Sequence, residues 1–154
     1  MSVSIETQVV QAARSWIGTP YRHQASVKQA GCDCLGLVRG VWRDLYGYEP
    51  EPIPHYSRDW SEPQGHEALW HGAARNLVPK ALEDVARGDV LLFRLKETGV
   101  AKHLGIAAEL GQSPSFIHAY SGHAVVESPF SLPWRRRLVA RFAFPQLTES
   151  KGEF

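Results

Sequence analysis

The chain has 154 residues, 17 Lys+Arg against 16 Asp+Glu, a formal net charge of +1, and 44% hydrophobic residues that include five Trp, five Tyr and six Phe. That size and apolar content suit one ordinary domain with its own core, so a single domain over residues 1–154 is expected. The balanced charge gives no global argument for nucleic acid or an anionic membrane as the main partner, and none is expected.

In chain order, Val9, Val10, Ala13, Trp16 and Ile17 share one helical face over residues 6–17, and Gly18 followed by Pro20 stops that helix. The polar stretch 19–31 reads as a loop delivering the chain to Asp33. Asp33 is a good N-cap, and Leu37, Val38, Val41, Trp42 and Leu45 recur at helical spacing, so a second helix begins at Cys34 and runs to about Tyr46, with Gly47 just past its end. From Tyr48 to Gly65 the prolines Pro50, Pro52, Pro54 and Pro63 forbid continuous helix or central strand and imply an extended surface excursion. A shorter helix follows over 66–77, burying Leu69, Trp70, Ala73 and Leu77, and Pro79 interrupts it. After Arg87-Gly88-Asp89 the pattern turns to strands at 90–93, 103–110, 116–120, 124–127 and 138–144, with turns at Gly111–Pro114 and Ser121-Gly122. Helices first and strands afterwards predict an α+β fold with an antiparallel sheet. Arg135-Arg136-Arg137 reads either as a solvated turn before a strand or as an anion-binding patch.

The start of the chain lacks a basic and an apolar segment of the secretory kind, and no run of about 18 apolar residues occurs. The expectation is synthesis in the cytoplasm without a signal peptide, and no membrane insertion. The two cysteines, Cys32 and Cys34, cannot staple distant parts of a fold, which suits a reduced, core-stabilised domain.

Chemistry gathers around Cys34. In the first turn of a capped helix, unpaired N–H groups and the positive end of the macrodipole favour a thiolate, so a lowered thiol pKa is expected there. Nucleophilic attack by sulfur also needs an imidazole to carry the proton and a third polar group to orient it. His103 and His118 each lie in a short apolar strand, and adjacent antiparallel strands can hold them side by side. Other readings of the same residues stand beside this one. Cys34 could be a small buried hydrophobe and His118 a hydrogen-bonded core histidine. Cys32, Cys34, His103 and His118 could form a zinc set, although a Cys-x-Cys pair departs from the usual ligand gap. A Cys32–Cys34 disulfide would close a small strained ring and is read only as an oxidation trap. His23, His55, His66, His71 and His123 have no comparable setting; His55 and His71 are expected to be exposed, and His123 is the rival to His118. Asp33 caps the helix.

Together the motifs resemble the NlpC-type cell-wall peptidases, papain-like cysteine hydrolases of bacterial and phage peptidoglycan. Gly31-Cys-Asp-Cys-Leu-Gly-Leu-Val38 resembles the Asp-Cys-x-Gly-Leu-Val nucleophile motif of that family. Trp16-Ile-Gly-Thr-Pro-Tyr21 is similar to its approach to the nucleophile and Arg87-Gly-Asp-Val-Leu-Leu-Phe93 to its Pro-Gly-Asp-Leu-Val-Phe-Phe strand. Lys102-His-Leu-Gly-Ile106 is similar to its Asp-His-Val-Gly-Ile, and Phe116-Ile-His-Ala119 to its third-residue segment. These segments occur in the family's order over most of residues 10–120.

The resemblance implies Cys34 as nucleophile, His103 as general base and acid, and His118 as the residue orienting His103. It places Tyr21 in the substrate and oxyanion region, with Asp33 beside it at the substrate site, and it implies no metal and no cofactor. The implied reaction is attack on an amide of the peptidoglycan stem peptide, between D-glutamate and a diamino acid, through a thioacyl intermediate. Two positions depart from the family pattern: Leu35 replaces a small serine after the nucleophile, and Arg22-His23-Gln24-Ala25 stands where members often carry a Gly-Gly pair. The proline-rich stretch is longer than the family minimum and is expected to form a cleft wall or docking surface. The compact chain is similar to the phage-type branch, which implies delivery by a phage tail or gene-transfer particle, hub proteins as partners, and action in the cell wall or periplasm. Two other functions fit the sequence: a non-catalytic tail-tip docking module of the same fold, and a papain-like amidase or acyltransferase on another substrate.

Overall fold

The computed structural model of the chain describes residues 3–51, 56, 66–119 and 122–146. Its first helix, α1 (Ile5–Arg14), starts at Ser4, whose hydroxyl accepts the Thr7 N–H at 3.2 Å. Val9, Val10 and Ala13 face the core, and Trp16 follows them in from just beyond the helix. Because α1 stops at Arg14, Ile17 leaves the predicted buried face and is 45% exposed.

The stretch read as a loop contains a small antiparallel hairpin, β1 (Ser26–Val27) with β2 (Gly31–Cys32). Two-residue strands are too short to show a period of two in sequence. Helix α2 (Cys34–Tyr46) begins and ends as its signals predict, with Asp33 as N-cap and Gly47 closing it at φ 83° in the left-handed region that favours glycine. Of the proline-rich stretch, Pro52, Pro54, His55 and Pro63 lie outside the described residues. Helix α3 (Ala68–Asn76) buries Leu69 and Ala73, and Leu77 is buried after it, while Trp70 is only half-buried.

The remaining elements are β3 (Val78–Lys80), β4 (Val90–Arg94), β5 (Ala101–Ala107), β6 (Ser115–His118), β7 (Val126–Pro129), α4 (Leu132–Arg137) and β8 (Leu138–Ala143). The six strands form one antiparallel sheet in the order β3-β8-β4-β5-β6-β7, so the predicted α+β class holds. Pro79 sits in edge strand β3, where a missing N–H is tolerated. Strand β5 ends at Ala107, short of the predicted Leu110, and β7 lies two residues later than predicted. The Arg135–Arg137 run is not a turn: it ends the short helix α4, with all three side chains exposed. Among the described residues, no helix is long and apolar enough to cross a membrane.

Alternation divides the sheet's apolar residues between two clusters. Val90, Leu92, Leu104, Ile106 and Ile117 join the helices α1, α2 and α3 in the main core, while Leu91, Phe93, Ala107 and Phe116 form a second cluster covered by Phe130, Trp134 and Leu138. The Gly-Asp of the β4 segment has a structural cause, since buried Asp89 accepts Ala86 N–H and pairs with Lys80 and Arg141, joining β3, β4 and β8.

Close approach fixes one glycine of α2. A Cβ on Gly40 would lie 2.0 Å from the Trp16 ring, whose Nε1 donates to Asp44 at 3.0 Å. Gly40→Ala is therefore expected to lower unfolding free energy by about 1–3 kcal/mol through overpacking, read as a lower urea midpoint at unchanged slope. An unchanged midpoint would show that the indole can yield without cost.

Candidate active site

The site begins with a carboxylate. Asp33 is 3% exposed, and its Oδ1 accepts the Gly36 N–H at 2.7 Å, capping the helix that starts at Cys34. Its Oδ2 accepts the Gln24 N–H at 2.7 Å and the Tyr56 hydroxyl at 2.6 Å. The first turn of α2 lies so close to the preceding loop that a Cβ on Gly36 would stand 1.9 Å from the Ala25 carbonyl oxygen. Asp33 and Gly36 thus set where α2 begins. Tyr21 is half-buried beside the same loop, bridged to Cys32 through the backbone, with Arg22 N–H donating to the Cys32 carbonyl at 3.0 Å.

Cys34 is buried, and its Sγ lies 3.9 Å from the Lys102 carbonyl oxygen on β5. That carbonyl accepts from the thiol, whereas the backbone N–H groups of Leu104, on the other side of His103, and Leu35 favour the charged sulfur. Burial and then the Asp33 charge outweigh this help and push the Cys34 thiol up to about 12. This corrects the expectation of a lowered thiol, because sequence displays the helix start but not the desolvation that opposes it. Burial, followed by Asp33, likewise raises Cys32 to about 12; both cysteines are free thiols.

His103 on β5 and His118 on β6 are brought together. Ladder pairing between these strands covers Ile106↔Ile117 and Ala107↔Phe116, and beyond it the two imidazoles make the contact, His103 Nε2 to His118 Nδ1 at 2.9 Å. His118 Nε2 reaches Ser128 Oγ on β7, also at 2.9 Å. Both rings lie on the face of the sheet covered by α4, where Trp134 packs 5.4 Å from His103 and 5.1 Å from His118 between ring centroids. Gly105 leaves space for Phe116, whose ring supports His118 at 4.2 Å. Burial, with His118 as second cause, lowers His103 to about 3; burial, then the charge of His123, lowers His118 to about 4. The pair is neutral at pH 7.

His66, His71 and His123 are exposed, and His55 lies outside the described residues. His23 has a setting its sequence position did not reveal, with Nδ1 3.7 Å from Asp33. Ser128, Tyr56 and Trp134 were also missed, since a serine in a short polar strand or a lone aromatic in a proline-rich stretch carries no signature. Among the described residues, no group of three or more His, Cys, Asp or Glu is disposed to hold a metal ion, so Cys32, Cys34, His103 and His118 do not form a zinc set. A cavity of ≈ 770 Å³ lies between α2 and α3, lined by Leu35, Val38, Trp42, Leu69 and Leu104 together with charged residues such as Arg39 and Glu67; Cys34, His103 and His118 do not line it.

A helix-borne thiol set against a histidine-bearing antiparallel sheet is the arrangement of a papain-like hydrolase fold. The NlpC/P60 family matches residues 18–142, and the chain belongs to that family. It is 31% identical over 101 residues to the murein DD-endopeptidase MepH of Escherichia coli, covering 64% of this chain and 32% of that protein. It is 29% identical over 148 residues to the gamma-DL-glutamyl hydrolase of Bacillus subtilis, covering 95% of this chain and 31% of that protein. The chain therefore spans about a third of the length of these curated relatives. Among solved structures, the NlpC/p60 domain of the peptidoglycan hydrolase SagA superposes with a TM-score of 0.61 at 23% identity, covering 90% of this chain and 98% of that one. An NlpC/P60 family protein from Bacillus cereus superposes with a TM-score of 0.62 at 18% identity, covering 96% and 42%. These superpositions establish a shared fold.

The buried histidines make stability depend on pH. Their folded values of about 3 and 4 lie below the unfolded value of 6.5, so on acidification the unfolded chain binds protons that the native pair resists. Unfolding free energy is expected to be full above pH 6.5 and to fall steadily toward pH 4, measured by urea unfolding across that range. Replacing both histidines with phenylalanine should flatten the loss, and an equal loss in that variant would place its origin elsewhere.

Proposed function

We propose that the chain is a cysteine endopeptidase hydrolysing amide bonds in peptidoglycan stem peptides, of the D-glutamyl–diamino acid type, through a thioacyl intermediate on Cys34. The observation that carries this reading is the 2.9 Å bond between His103 Nε2 and His118 Nδ1 on a strand whose backbone, at Lys102 and Leu104, meets the Cys34 sulfur. The names of two relatives, a murein DD-endopeptidase and a gamma-DL-glutamyl hydrolase, support hydrolysis as the chemistry and a cell-wall or glutamyl amide as the substrate.

The hydrogen bonds of the histidine pair support one route for the proton. With His103 Nε2 committed to His118, Nδ1 is the ring nitrogen left to take the thiol proton. For Nδ1 to accept, Nε2–H must donate to His118 Nδ1, and His118 Nε2–H must then donate to Ser128 Oγ, a tautomer chain that the three positions satisfy. As sulfur bonds to the amide carbon, its proton passes to His103 Nδ1. The C–N bond then breaks, the leaving amine takes that proton, and water repeats the sequence to release the acid and restore the thiol. The Cys34 N–H, in the first helical turn where such groups lack intrahelical partners, is assigned to the oxyanion.

Tyr21 is assigned to the wall of the substrate site, and Asp33 acts there through the loop it anchors. Leu35, where the family motif often has a small serine, directly follows Cys34 and bears on which bond is cleaved. Delivery by a phage tail or gene-transfer particle to the wall, with hub proteins as partners, is proposed on the sequence resemblance. One observation favours a second reading, a non-catalytic docking module of the same fold: the sulfur is buried and held as a thiol.

Cys34→Ala is expected to cut release of stem-peptide fragments from purified peptidoglycan by ~10³-fold or more, because the groups act as a unit. His118→Ala should cost ~10²-fold or more in kcat, while His118→Asn, which keeps an acceptor for His103 Nε2–H, should recover most of it. Equal release by wild type and Cys34→Ala would overturn the hydrolase reading, and no release by wild type would favour the docking module.

A further inference from the structure

The side-chain hydroxyl, ring and backbone carbonyl of Tyr56 all touch the loop that leads into Cys34. The hydroxyl donates to Asp33 Oδ2 at 2.6 Å. The carbonyl accepts from His23 Nε2–H at 3.0 Å and from the Gln24 side-chain amide. The His23 ring stands edge-on to the Tyr56 ring at 5.3 Å and 83°. Gln24 holds φ 66°, a left-handed conformation that costs a non-glycine residue of order 1 kcal/mol or more. That conformation points its backbone N–H at Asp33 and its side chain at Tyr56. Gln24 belongs to the Arg22-His23-Gln24-Ala25 segment and Tyr56 to the proline-rich stretch, so the two segments that depart from the family pattern meet at one contact.

We propose that Tyr56 is a positioning residue of the Cys34 site: held by His23 and Gln24, it donates its hydroxyl to the helix-capping carboxylate and so weakens the negative field that Asp33 casts on the sulfur. The role rests on the reading of Cys34 as nucleophile. Among the described residues, charged and titratable groups near the sulfur and its cap are few. Asp33 and Cys32 precede Cys34, His23 faces Asp33 from the loop, and Arg39 of α2 senses both Asp33 and Tyr56. Lys102 and His103 lie on β5. Asp33 disfavours the thiolate, and burial together with the bond to Asp33 keeps the Tyr56 phenol protonated and able to donate. Removing the hydroxyl leaves the Asp33 charge less neutralised, so the thiolate becomes harder to form.

The test measures iodoacetamide alkylation of Cys34 against pH, resolved from Cys32 by peptide mass mapping, in wild type, Tyr56→Phe, Asp33→Asn and the double variant. Tyr56→Phe is expected to move the alkylation midpoint to higher pH and slow the reaction about threefold to tenfold at pH 8, whereas Asp33→Asn moves it lower. In the Asp33→Asn background, Tyr56→Phe should then have no effect. With a stem-peptide substrate, Tyr56→Phe should lower kcat and leave KM within about twofold. A Tyr56→Phe midpoint equal to wild type, or an equal shift with and without the Asp33 charge, overturns the proposal. Alkylation needs no substrate, so a coupled shift in a chain that hydrolyses nothing would sink the endopeptidase reading while leaving the link between Tyr56, Asp33 and the sulfur intact.

Discussion

A single buried carboxylate organises the reactive end of this fold. Asp33 accepts from Gly36 N–H, Gln24 N–H and Tyr56 O–H, satisfying a helix terminus, a strained loop and a distant segment at once. A buried charge is tolerable only when its lone pairs are filled, and here the donors that fill them fix the start of α2. With that start fixed, and with Gly36 allowing the first turn to lie on the Ala25 carbonyl, Cys34 has one place to go, against the backbone of β5.

The same carboxylate works against the sulfur it positions. Its charge adds to desolvation in keeping Cys34 a thiol, while the sheet keeps His103 and His118 neutral by burying them beneath Trp134. The strands hold the two imidazoles 2.9 Å apart, His103 Nε2 to His118 Nδ1, so their relative orientation is set by the fold.

Much of this was legible in the sequence where one signal had one structural meaning. Asp33, the apolar spacing from Leu37 to Leu45 and Gly47 define α2 to the residue, and the two histidines fell on neighbouring strands as short apolar runs implied. Legibility failed where elements were short or where three-dimensional burial decided. The β1–β2 hairpin has two residues per strand, and α4 hid in a proline-flanked arginine run that resembles a turn. The direction of the Cys34 shift could not be read, since the helix-end effect is local in sequence whereas the burial that defeats it depends on how distant elements pack around the helix start. Ser128, His23 and Tyr56 contribute through contacts between elements, which no spacing rule reports.

The central claim is that Cys34 forms a covalent acyl intermediate while His103 and His118 move the proton. It is tested most directly by acid-quenching the protein within one turnover of a peptide carrying a D-glutamyl–diamino acid amide, then locating any added mass by peptide mapping. The expected result is a thioester of the glutamyl portion on the peptide that contains Cys34, rising and decaying as the free amine product accumulates. Cleavage of the peptide with no acyl group ever found on Cys34 would contradict it.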